Sequence, residues 1–116
     1  MADDIKFKGL TITPGDRENT RIFGEKGSFT VRVPLPYEKL NILSNCSRVM
    51  AGASLETIYA KDYEYIRMIV TLNQVVSKGP DWWKNAGECP DEDLLLELWK
   101  FYLDSQAQFD EKIRKN

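Results

Sequence analysis

The apolar positions of this chain change period as it runs. From Ile5 through Lys6, Phe7, Lys8, Gly9, Leu10 and Thr11 to Ile12 they first alternate with polar residues, then end on β-branched ones. Between Ser28 and Val33 the alternation is cleaner and puts Phe29, Val31 and Val33 on one face. A period of two marks a half-buried strand. The stretch between them, Pro14-Gly15-Asp16-Arg17-Glu18-Asn19-Thr20 and on to Gly27, is polar and rich in turn residues. It reads either as a mobile loop over 13–27 joining a hairpin, or as a meander with Arg21–Phe23 as a short middle strand. A small sheet of this kind needs a helix over its apolar face, because an isolated hairpin is only marginally stable.

After Pro34-Leu35-Pro36 the period lengthens to three and four. Leu40, Leu43 and Met50, with Ser47 on the same line, predict the buried face of a first helix ending near Gly52; Ile42, Cys46 and Val49 lie beside it. A second helix is predicted to begin between Ser54 and Asp62. Its stripe is Tyr59, Tyr63, Ile66, Ile69, Val70, Asn73 and Val76, and Gly79-Pro80 ends it. The β-branched pair Val75-Val76 weakens the last turn. A third helix is predicted from Pro90 to Lys115, about 39 Å long at ~1.5 Å per residue. Acidic Asp91, Glu92 and Asp93 suit its positive end, and Lys112, Arg114 and Lys115 its negative one. Leu95, Leu98, Tyr102, Phe109 and Ile113 mark its main face. Leu94, Trp99, Phe101 and Leu103 widen that face beyond the needs of one contact.

These elements predict one α+β domain over 1–116, dominated by three helices. Residues 1–33 form a small N-terminal β-hairpin region and residues 34–116 the helical region. The length of 116 residues suits a single core, and an apolar fraction of 42% is that of a folded chain.

Charge and chemistry then narrow the function. Lys and Arg number 16 against 18 Asp and Glu, interleaved throughout, so nucleic acid is not an expected partner. No apolar run approaches the ~18 residues of a membrane span, and the acidic start lacks a secretory layout. There is no histidine, and Cys46 and Cys89 lie far apart in no metal-ligand spacing. The glycine-containing loops lack the Gly-Lys-Ser/Thr ending of a phosphate loop. The expectation is a non-enzyme with no catalytic residue, no metal and no cofactor.

What remains is surface. Trp82 and Trp83 are adjacent, and neighbouring side chains point apart on a helix or strand. The pair is either an anchor for a partner or a lid between the second and third helices whose indole N–H meets a loop carbonyl. Trp99, Phe101 and Leu103 offer either a second interaction surface or a face covered by the sheet or by the loop after Gly52.

The layout has a likeness. A β element leads into Arg32-Val33-Pro34-Leu35-Pro36-Tyr37-Glu38-Lys39-Leu40, two helices follow, and Pro80-Asp81-Trp82-Trp83 precedes a last helix rich in Leu and aromatics. Over roughly residues 29–115 this resembles the small tail assembly chaperones of long-tailed phages. Residues 1–27 lie outside the resemblance. It implies a non-enzymatic protein of the host cell cytoplasm that binds the tape-measure protein and helps tail tube protein assemble around it. A coat along a long client also implies a homo-oligomer. Trp82, Trp83, Trp99, Tyr102 and Phe109 are the expected partner-binding residues. The alternative is a structural tail or virion component retained in the particle.

Overall fold

The first alternating segment turns back on itself. Lys8 and Gly9 both take positive φ, 47° and 79°, the turn geometry that lets two short strands twist together. In a computed structural model, which describes residues 4–50 and 60–115, β1 (Ile5–Phe7) therefore pairs antiparallel with β2 (Leu10–Ile12), Phe7 opposite Leu10.

The stretch expected as a mobile loop over 13–27 is instead built structure. Thr13 and Asp16 cap each other across a 3-10 turn at Pro14–Arg17, through Asp16 N–H to Thr13 Oγ1 (3.3 Å) and Thr13 N–H to Asp16 Oδ2 (2.8 Å). β3 (Glu18–Ile22) follows, longer than the middle strand the meander reading allowed, and a second short turn at Gly24–Lys26 leads into β4 (Ser28–Arg32). β3 and β4 pair in full register from Glu18 opposite Arg32 to Ile22 opposite Ser28. The polar composition had suggested a loop because β3 is an edge strand, with one side in water.

Arg17 makes this segment part of the fold. It is 4% exposed; its Nε donates to the Val33 carbonyl at 3.0 Å and its guanidinium pairs with Glu38. The same Glu38 oxygen accepts from Leu35 N–H at 2.8 Å, and Val33 N–H donates to the Arg17 carbonyl at 2.8 Å. One buried cation thus ties the start of the sheet to the start of α1 (Pro36–Val49).

α2 (Ala60–Val75) stops one residue short of its predicted stripe. At the β-branched pair the chain leaves the helix and becomes β5 (Val76–Lys78), pairing antiparallel with β4 in a sheet of order β3-β4-β5. α3 (Glu92–Arg114) begins after Pro90, with Asp91 as its cap accepting from Leu94 N–H at 3.1 Å. The fold is α+β, as expected: three helices with small antiparallel sheets.

The helix faces differ more. Phe23, Phe29 and Val31 of the sheet segment pack with Met68, Leu72 and Val75 of α2 and with Leu94, Leu95, Leu98 and Phe101 of α3. α2 also buries Val70 against Ile42 and Cys46 of α1, with Ile66 alongside. A helix gripped from two sides has no single stripe, so the predicted one missed Met68, Leu72 and Val75. In α1 the core takes the flanking pair Ile42 and Cys46. The predicted line points outward, with Leu40 66% and Leu43 55% exposed. The expected end of the first helix near Gly52, and Tyr59 of the second, lie outside the described residues.

Candidate protein-docking surfaces

The sequence-predicted partner residues fall in two separate places. Trp82 and Trp83 sit on the open end of the sheet. Both meet Phe29 of β4 edge to face, at 6.0 Å for Trp82 and 5.2 Å for Trp83. They therefore cover the sheet at Phe29, which the sequence did not suggest, while Trp83 also packs against the core that α2 and α3 share. Trp83 is half-buried and rests on Gly79, where a Cβ would come within 3.0 Å of its ring. Trp82 is 47% exposed, yet its indole N–H donates to the Lys26 carbonyl at 3.1 Å. The satisfied indole is as expected for a lid; the carbonyl it meets lies in the turn before β4.

The pair divides its work accordingly. Trp83→Ala is expected to lower stability by about 2–3 kcal/mol, since a packed indole leaves a cavity, and Trp82→Ala by about 1 kcal/mol. Urea denaturation of each variant checks this. Equal losses would contradict the assignment of Trp83 to the core and Trp82 to its rim.

Beside this lid, Lys26 holds the start of α3 through an ion pair with Asp91 at 2.9 Å. The Lys26 ammonium, then the Leu94 N–H, hold the Asp91 carboxyl below the usual carboxylate range. A lowered carboxyl favours the fold above its unfolded value and loses that contribution as pH falls through the folded one. A carboxyl-detected NMR titration is therefore expected to show Asp91 protonating at lower pH than an exposed aspartate. Lys26→Ala should move its midpoint upward.

Trp99, Tyr102 and Phe109 lie elsewhere, between α1 and α3. Trp99 and Tyr102 stack tilted with centroids 5.5 Å apart on the wall of a cleft of about 300 Å³. Leu43 of α1 and Leu103 of α3 are also in that lining, with Lys39 and Arg67. Tyr102 is largely core, 7% exposed, and its hydroxyl donates to Gln106 Oε1 at 3.0 Å. Burial pushes its phenol upward, so it stays neutral. Phe109 lines an adjoining cleft of about 240 Å³ with Pro34, Leu35 and Ile113, and Lys39 and Gln106 are common to both clefts.

The residues that sequence reasoning misplaced are Leu40 and Leu43, both counted as core. The helical spacing was right; the choice between two adjacent stripes was not. Among the described residues, no group of His, Cys, Asp and Glu is arranged to hold a metal ion, and no helix is long and apolar enough to cross a membrane. Cys46 is buried, which pushes its thiol upward and leaves it a poor nucleophile. The arrangement can grip apolar side chains. No family model, curated protein or solved structure matches the chain.

Proposed function

We propose that the protein is a non-enzymatic assembly chaperone of the phage-tail type, which receives an amphipathic helix of its client along the cleft between α1 and α3. The observation that carries this reading is the cleft itself. Half-exposed leucines on two helices flank an aromatic wall formed by Trp99 and Tyr102. About 300 Å³ admits the anchor side chains of a helix and not the helix, the usual relation in helix-in-groove recognition. The layout resemblance supplies the client, a tape-measure protein held soluble in the host cytoplasm while tail tube protein assembles. Trp82 and Trp83 take no direct part.

Co-expression with the candidate tape-measure protein, scored by the soluble fraction of the client, tests the reading. Wild type should rescue the client, and Leu43→Glu with Leu103→Glu should lose the rescue while the circular dichroism of the folded chain is retained. Trp82→Ala should leave rescue intact. Full rescue by the leucine variant would contradict the reading, and recovery of the protein in purified particles would favour a retained structural component.

A further inference from the structure

The outward faces of α1 and α3 are complementary to each other, and within one chain neither is covered among the described residues. On α1, Tyr37, Leu40 and Leu43 are 65%, 66% and 55% exposed. Lys39 and Arg48 flank this stripe on opposite sides at helical spacing, both exposed, and among the described residues no ion pair engages either. The only carboxylate on the helix, Glu38, is turned inward to Arg17. On α3, Leu96 and Leu103 are 50% and 45% exposed, two helical turns apart on one line. Exposed Glu92, Asp93, Glu97 and Asp104 border that line; Lys100 stands among them, and Lys26 reaches Glu97 at 3.9 Å, which leaves the face net acidic. One face is apolar and basic, the other apolar and acidic.

We infer that a second copy of this chain covers them, α1 of each copy packing on α3 of its partner about a two-fold axis. Two-fold symmetry uses each face once per copy, so both are satisfied in a closed pair and no open chain of copies results. Of the large apolar side chains left exposed, Tyr37, Leu40, Leu43, Leu96 and Leu103 are covered in this one step. The contact is small. A 14-residue helix is about 21 Å long at ~1.5 Å per residue and about 10 Å wide. Two such strips give a footprint below the ~800 Å² per partner of a standard interface, so the pairing belongs to the weak, transient class. Leu43 and Leu103 also flank the client cleft, so a seated client helix and a second copy exclude each other. The pairing rests on the two faces alone and does not need the chaperone reading.

Sedimentation equilibrium of the full chain, with no client, tests it. Across loadings up to about 1 mM, where weak transient pairs are populated, the wild-type mass should rise toward twice the chain mass of 13.4 kDa. Lys39→Glu with Arg48→Glu reverses the α1 face, and Asp93→Lys with Asp104→Lys reverses the α3 face. Each variant alone should dimerise at least ~10-fold more weakly, because like charges then meet in both halves of the pair. Mixing the two should restore a dimer, since every α1–α3 contact in the mixed pair again joins opposite charges. A wild type that stays monomeric overturns the inference. So does a dimer that survives both reversals, or one lost instead in Ile22→Lys, which would place the contact on the β3 edge.

Discussion

Phe29→Ala is expected to lower the free energy of unfolding by about 4 kcal/mol, the scale on which a fully buried phenylalanine is lost to a cavity. Phe29 has no exposed surface, and it stands where three segments meet. Its ring is 5.7 Å from Phe23, 6.0 Å from Trp82 and 5.2 Å from Trp83, each close to perpendicular. Edge-to-face pairs add ~0.5–1.5 kcal/mol each beyond area burial, so the loss reaches past the side chain removed. Phe29→Leu keeps most of the volume and should recover about half. Urea denaturation followed by tryptophan fluorescence measures both, and the native emission of Phe29→Ala should shift to longer wavelength as Trp83 gains water. A loss under about 1 kcal/mol would mean that the aromatic group is not the sheet's main attachment to the core.

Arg17→Ala is expected to cost about 3–5 kcal/mol, the range for breaking one side of a buried ion pair. The Arg17 side chain is 5% exposed and that of Glu38 17%, so removal leaves a carboxylate with little water and only the Leu35 N–H to face. The Val33 carbonyl loses its donor as well. Arg17→Met with Glu38→Leu removes both charges and should recover at least half of the loss, because a matched apolar pair needs no desolvation of ions. Failure of the double variant to improve on the single one would assign the cost to lost packing of the arginine stem. Thermal unfolding by circular dichroism separates the three proteins.

The Arg17 result bears on how much could be read from the chain. Nothing about Pro14 to Thr20 in isolation distinguishes a solvated loop from an anchored edge. Arg17 is one of many charged residues, and its burial depends on Val33 and Glu38, which lie 16 and 21 residues away. The third helix was legible because its determinants are local. Asp91 caps it, its acidic start and basic end oppose its dipole, and Leu94, Leu95, Leu98, Phe101 and Tyr102 fall on one side. The end of α2 was half legible. The β-branched pair marked a weak turn, but only the free edge of β4 made a strand the better outcome.

The candidate site divides in the same way. Trp99 was marked by an apolar face too wide for one contact and Tyr102 by the main face of the helix, and the structure places both on a cleft wall. Trp82 and Trp83 were marked by their adjacency, and they turn out to close the sheet at Phe29. The leucines of α1 were recognised as a stripe and assigned inward. Periodicity gives the angular position of a stripe on its own helix; it carries no information on which neighbour that side will meet.

By itself the sequence determined the α+β class, the three helices with the caps and charges of α3, the polar and turn-rich character of the N-terminal segment, and an inventory without histidine. These follow from local spacing and composition, which act within a few residues. Only the tertiary structure decided that Glu18–Ile22 join the sheet as a full strand, that α2 yields a strand, that the tryptophan pair is a lid on β4, and that Leu40 and Leu43 face out. Each of those outcomes depends on which distant surface is nearby to bury a side chain or accept a hydrogen bond, and that is a property of the assembled fold.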